Sequence, residues 1–160
     1  MIDVKGPSQG VIANIFRNID AVSNRLDPKG RQILVGVPAD AGEEENGLPI
    51  ATNAFIHEFG IGVPERSFLR APIAANMDKY KKAFDWFVKR CGDGKISIDN
   101  ALGQIGFMVV GDIQSAISQG INPPNAPETI RRKKSSTPLI DTGRLRQSIT
   151  FRIVEQGEDF

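Results

Sequence analysis

Asn53-Ala-Phe-Ile-His57-Glu-Phe59-Gly60-Ile-Gly62-Val-Pro64-Glu-Arg66-Ser-Phe68-Leu69-Arg70 sets two glycines and a proline between two apolar runs, and the rest of the chain is organised around it. A short apolar helix runs into Phe59-Gly60, and two glycines and a proline then force an irregular loop. Gly60 can take φ > 0 after a helix end, which few other residues do cheaply. Pro64 lacks an N–H and pushes Val63 into an extended conformation. The loop is therefore expected to hold a fixed shape and to lead through Arg66-x-Phe68-Leu69-Arg70 into a second, longer helix. Fixed loops that carry Arg and Phe are often recognition surfaces. Phe68 and Leu69 also fit ordinary core burial, the usual fate of apolar residues, and both readings stand at this point.

A second segment with a defined pattern lies near the C-terminus: Pro138-Leu139-Ile140-Asp141-Thr142-Gly143-Arg144-Leu145-Arg146-Gln147-Ser148-Ile149. Taken together, Ala-x-x-His-x-Phe-Gly with Val-Pro-x-Arg-x-Phe-Leu-Arg, followed by Pro-Leu-x-Asp-Thr-Gly-x-Leu-x-x-Ser-Ile, resembles the signature of tailed-bacteriophage virion-morphogenesis proteins, the small tail-completion or neck proteins that join heads to tails. The two segments bracket most of the chain in the expected order. The first 30 residues match only in style, as a helix leading to a strand.

The 160 residues suit one domain with a modest core. An apolar content of 40% with 24% charged residues is that of an ordinary globular chain. A net charge of +1 argues neither for nor against a polyanionic partner. Cys91 is the only cysteine, so no intrachain disulfide forms, which suits a reducing cytoplasm. Met1-Ile-Asp-Val-Lys lacks the pattern of a signal peptide. No apolar run approaches the roughly 20 residues of a membrane span. A soluble cytoplasmic product with no membrane partner is the expectation.

Along the chain, Val11, Ile12, Ile15, Ile19, Val22 and Leu26 recur at helical spacing, which predicts a helix over Ser8–Leu26. Gln32–Val37 reads as a strand buried on both faces. Ala39–Gly47, with Asp40, Glu43, Glu44 and Glu45, reads as an exposed, mobile acidic loop. Helices are predicted over Pro49–Phe59, over Phe68–Arg90 and from a cap at Ser97 or Asp99 to Gln119. The stripe Ala101, Leu102, Ile105, Val109, Ile113 and Ile117 on the last of these is the cleanest in the chain. Gly103, Gly106 and Gly111 lower its intrinsic helicity by about 1 kcal/mol each and suggest close packing against another helix. After the loop Gly120–Pro127 come a helical turn near Glu128–Lys134, another at Arg144–Gln147, a strand near Ser148–Val154 and a frayed acidic tail over 155–160. The fold class is α+β: a small antiparallel or mixed sheet packed against long helices, with loops protruding at 39–48 and 120–138. A two-stranded sheet is marginal alone, so it needs a helix across it, a third strand such as Ile2-Asp3-Val4, or neighbouring subunits.

Catalytic patterns are incomplete. His57-Glu58 begins like the zinc-protease His-Glu-x-x-His, but Ile61 stands where the second ligand belongs, and the chain has one histidine. His57 then reads as a residue packed at the loop's base or at a subunit contact. Leu139–Gly143 resembles the apolar-apolar-Asp-Thr-Gly strand of aspartic proteases, which need two carboxylates sharing a proton. Arg144 replaces the small residue expected after that glycine, no flap hairpin is visible, and Asp141 and Thr142 make equal sense as a helix cap. Gly92-Asp-Gly-Lys95 lacks phosphate-loop spacing. Cys91 reads as a helix-end residue without a redox role. Arg131-Arg132-Lys133-Lys134 is a basic cluster suited to DNA phosphates or an acidic partner, without aromatics for base stacking; a solvated surface is its simplest reading.

No enzymatic activity, cofactor or metal is therefore expected. The family resemblance implies a structural virion protein, made in the host cytoplasm and built into a ring at the head–tail junction. Such a ring, a hexamer or alternatively a dodecamer, caps the tail tube protein, receives head-completion or connector proteins and lets genomic DNA pass. Its subunit contacts would draw on His57, Phe59, Gly60, Pro64, Arg66, Phe68, Arg70, Asp141, Thr142 and Gly143. Glu43, Glu44 and Glu45 are either a solvated tip or a loop facing the ring opening. The competing readings are an aspartic-type protease centred on Asp141-Thr142-Gly143 and a DNA-binding regulatory protein using Arg131–Lys134.

Overall fold

The computed structural model describes residues 30–133, 137–140 and 142–155. The predicted helix Ser8–Leu26, the candidate strand at 2–4, Lys134, Asp141 and the tail from 156 lie outside the described residues. The elements are β1 (Gln32–Gly36), α1 (Ile50–Phe59), α2 (Arg70–Ala75), α3 (Met77–Gly92), α4 (Ile98–Gln119), α5 (Pro127–Lys133), α6 (Arg144–Ser148) and β2 (Thr150–Val154). The class is α+β, with six helices and one two-stranded sheet among the described residues.

The two predicted strands pair with each other. β1 and β2 run antiparallel, from Gln32 opposite Val154 to Gly36 opposite Thr150. Both ends of the described chain thus meet in one sheet around a helical middle. Alternation puts Ile33, Val35, Phe151 and Ile153 on one face, and α4 contacts both strands. Ile33 is buried while Leu34, Val35 and Gly36 are half-buried, so the double-sided burial expected of β1 is partial.

α4 is the centre of the core. Its predicted stripe holds, with Ile105, Val109, Ile113 and Ile117 at most 3% exposed. Of the two candidate caps, Ser97 does the capping: its hydroxyl accepts from the Asn100 N–H at 3.2 Å. Asp99, in the first turn, pairs with Arg31. α2, α3, α6 and the sheet all pack on this helix.

Two expectations change. The helix predicted over Phe68–Arg90 is two helices broken at Asn76, which leaves helical geometry at φ −102°, ψ 10°. The Asn76 side chain donates to the Pro72 carbonyl at 2.9 Å, the local competition with helical bonding that short amides offer. Phe68 and Leu69 lie before the first of the two helices. The glycines of α4 also serve differently from expectation. Gly106 is pressed by a strand rather than a helix, since a Cβ there would run into the Phe151 ring. Gly103 and Gly111 meet nothing within 4 Å.

Gly106→Ala should therefore destabilise the fold by about 1–3 kcal/mol through overpacking, although alanine is the better helix former by about 1 kcal/mol. Chemical denaturation checks this, and Phe151→Leu in the same chain should restore part of the loss.

Candidate functional site

α1 ends where the sequence places its end. Gly60 sits at φ 69°, ψ 38°, and its N–H bonds back to the Ile56 carbonyl. The Ile61 N–H reaches the same carbonyl at 3.0 Å, and the Arg66 N–H closes the loop on the His57 carbonyl at 2.8 Å. A side chain at Gly60 would be strained by its φ and would lie 2.9 Å from the Glu65 backbone.

The residue that sets the loop is Glu58, only 3% exposed. Its Oε1 accepts from the Ser67 hydroxyl at 2.8 Å, the Arg70 N–H at 3.1 Å and Arg70 Nε at 2.8 Å. Its Oε2 accepts from the Leu69 N–H at 2.9 Å. Arg70 also donates to the Glu58 carbonyl and to the Glu65 carboxylate, both at 2.9 Å. Hydrogen bonding to Glu58 raises the Arg70 pKa above its ordinary value. Glu58 thus satisfies donors that open α2, from eleven and twelve residues away in sequence. Sequence reasoning missed it as a site because it read Glu58 only as part of a broken zinc motif. The available signal was a carboxylate one residue ahead of a helix-ending Phe-Gly, with Ser and Arg following at the entrance to the next helix.

The clamp sorts the predicted interface residues. Phe68 is fully buried, and Arg66 is 6% exposed, which corrects their reading as outward anchors. Arg66 donates from Nε to the Pro123 carbonyl at 2.9 Å and from a terminal nitrogen to that of Pro124 at 3.3 Å. It ties the start of the loop predicted to protrude at 120–138, which the structure breaks with α5, to the motif loop, and burial lowers its pKa. His57 and Gly60 are half-buried and Pro64 is exposed. Phe59 is half-buried, with the Arg70 guanidinium 4.6 Å above its ring and the Phe55 ring centroid 4.8 Å away. Phe55 and Ile61, which sequence reasoning passed over, are 42% and 49% exposed. The outward face is therefore Phe55, Phe59, Ile61 and the edge of Arg70.

The second motif joins the first through the acidic loop. That loop is a folded hairpin rather than a loose tip: Ile50 N–H bonds to the Gly42 carbonyl and Glu44 N–H to that of Leu48, each at 2.9 Å. Glu44 is half-buried, accepts from the Asn53 amide at 3.2 Å, and accepts from the Thr142 hydroxyl at 3.4 Å. The Arg144 guanidinium donates to the Glu43 carbonyl at 2.9 Å. Glu43 and Glu45 remain exposed. The cap expected at Thr142 falls one residue later: Gly143, at φ 80°, takes the N-cap position of α6 without a side-chain bond, and the Thr142 hydroxyl accepts from the Arg144 N–H at 3.3 Å in a turn just before it. Asp141 lies outside the described residues. The residues before it form a turn, with the Ile140 N–H on the Thr137 carbonyl and Leu139 at φ 63°, where an aspartic-protease motif needs a strand.

The basic cluster begins on α5, where Arg131 is exposed; α5 continues through Arg132 and Lys133, and Lys134 lies outside the described residues. Burial raises the Cys91 thiol pKa, which disfavours the thiolate. Among the described residues no group of three His, Cys, Asp or Glu is placed to hold a metal, and no helix is long and apolar enough to cross a membrane. No protein-family model, curated protein or solved structure matches the chain.

Glu58→Gln keeps the side chain's shape but replaces an acceptor oxygen with donors and removes the charge facing Arg70. A loss of about 2–4 kcal/mol is expected in denaturant titration, below that of a fully buried pair because Arg70 is partly exposed. Gly60→Ala should lose about 2–4 kcal/mol from left-handed backbone strain plus the close approach of Glu65, measured the same way.

Proposed function

We propose that this chain is a structural subunit of a tailed-phage virion, acting at the head–tail junction as a closed ring that caps the tail tube and offers a surface to which heads dock. The observation that carries the reading is the outward Phe55–Phe59–Ile61 face beside Arg70, held in shape by the buried Glu58 clamp. Aromatic and Arg side chains on a preorganised surface are the composition of interface hot spots. The face lies on the motif whose pattern, with the C-terminal one, resembles the tail-completion family.

A ring repeats one heterologous contact around an axis. In this reading the Phe55–Phe59–Ile61 face of each subunit meets a different surface of the next. Arg66 and Phe68 contribute indirectly, by fixing the loop from inside. Glu43 and Glu45 are exposed on a folded hairpin and would repel the phosphates of DNA passing through the opening, so that it slides. The hexameric or dodecameric count, the tail tube and head-connector partners and the virion location come from the resemblance. The protein works by geometry of association and not by bond-making.

The test is mass measurement with negative-stain imaging of the purified chain and of Phe59→Asp/Ile61→Asp. The wild type should form rings that also decorate tail ends. The variant should lose them and keep its far-ultraviolet circular dichroism. Particles that mature to infectivity without this protein, or a wild-type chain that stays monomeric, would sink the reading.

A further inference from the structure

The outer face of α4 has an unusual composition. The exposed row Asn100, Gln104, Phe107, Gly111, Ser115 and Ser118 follows one side of this 22-residue helix and contains no charge. The helix has two charged residues, Asp99 and Asp112, and both are paired off this row, with Arg31 and Lys79. A helix face that stays in water normally carries charged side chains. Depletion of charge is instead what marks the core of a protein interface.

Phe107, at the middle of the row, is 71% exposed, more than Phe55, Ile61 or Trp86. Its ring meets the Phe151 ring nearly at right angles, with centroids 4.9 Å apart. One turn to either side are Gly103 and Gly111, where an added Cβ would meet nothing within 4 Å. Gly106, in the same helix, is explained by the Phe151 ring. Gly103 and Gly111 have no such neighbour among the described residues, yet each lowers helix propensity. The face therefore carries an aromatic knob and a matching hollow one helical turn away, on one uncharged row.

A knob and a hollow on the same row are self-complementary under a two-fold axis. We propose that two copies of this chain pair antiparallel along α4, the Phe107 ring of each seated over Gly111 of the other. The same register sets Gly103 opposite Ser115 and Asn100 opposite Ser118, so uncharged side chains line the crossing and small ones face each ring. The contact is isologous. It uses a different surface from the Phe55–Phe59–Ile61 face and does not depend on the ring. Where both contacts form, it joins two rings face to face.

Sedimentation velocity with native mass measurement on the full chain, together with thermal melting, tests the pairing. The wild type should be an even-numbered assembly, a dimer or a double ring. Phe107→Glu should halve its mass, keep its far-ultraviolet circular dichroism and remove the concentration dependence of the melting temperature that pairing confers. Gly111→Ala should raise the melting temperature, because alanine is the better helix former, and yet weaken pairing about tenfold or more by filling the hollow. A merely solvated glycine would show only the first effect. Unchanged mass in Phe107→Glu overturns the pairing, whether or not its melting temperature falls; a fall would mean that another part of the same chain covers the ring. Gly111→Ala that gains heat stability and pairs as before overturns it as well. A wild-type dimer split by Phe107→Glu supports the pairing and sinks the ring, whereas a single ring unaffected by Phe107→Glu does the reverse.

Discussion

A carboxylate with almost no access to water holds the motif region together. An isolated charge of that kind is excluded from protein interiors unless it is paired and hydrogen-bonded. Glu58 meets the condition by drawing in Ser67, two backbone N–H groups and the Arg70 guanidinium. Each partner belongs to the segment after the loop, so burying Glu58 fixes where that segment sits. α2 has six residues, too few to be helical alone. It forms because its opening donors are met from the end of α1. Once Leu69 and Arg70 are held this way, Phe68 is carried into the core, and Arg70 lies across Phe59 on the outside.

The second constraint is α4. A two-stranded sheet is marginal in water, and here it is stabilised because Phe151 presses onto the bare backbone at Gly106 while Ile33 is buried against the same core. The motif region reaches this core along two routes. Phe68 enters the apolar cluster directly. Arg66 holds the loop that follows α4 through two proline carbonyls. Glu44 adds a polar link between Asn53 and Thr142, which lie far apart in sequence.

Much of this was legible beforehand. The apolar stripe and Ser97 cap of α4, the left-handed Gly60 and the strand alternation at Phe151 and Ile153 are local signals, and local physics decided them. The break at Asn76 was not legible, because the apolar spacing from Ile73 through Met77 to Tyr80 continues through it unbroken. Arg66 and Phe68 look alike to any rule that sees Arg and Phe in a loop as recognition elements; their inward turn depends on Pro123, Pro124 and the core, which are distant in sequence. Glu58 was missed for the same reason. A glutamate belongs on the surface by default, and only partners brought by folding reverse that. The acidic loop shows the rule in smaller form: of its three consecutive glutamates, Glu43 and Glu45 stay exposed and Glu44 is drawn inward by Asn53 and Thr142.

The polarity of α1 follows from that reversal and bears on what the helix is for. Ile50, Ala54 and Glu58 form its buried row, four residues apart, while Phe55 and Phe59 form a neighbouring row facing out. Glu58 is the only acidic residue of α1, and it is inside, while Phe55 is exposed and Phe59 half-buried. For an isolated subunit the arrangement is inverted, since exchanging the positions would hydrate the charge and bury the rings. The inward carboxylate has a use in fixing the loop, and in the proposed assembly the rings would be covered by a neighbouring surface. Arg70 connects the two, with one side of its guanidinium on the buried carboxylate and the other over the Phe59 ring. The interaction that shapes the loop therefore also sets the position of the ring a partner would meet.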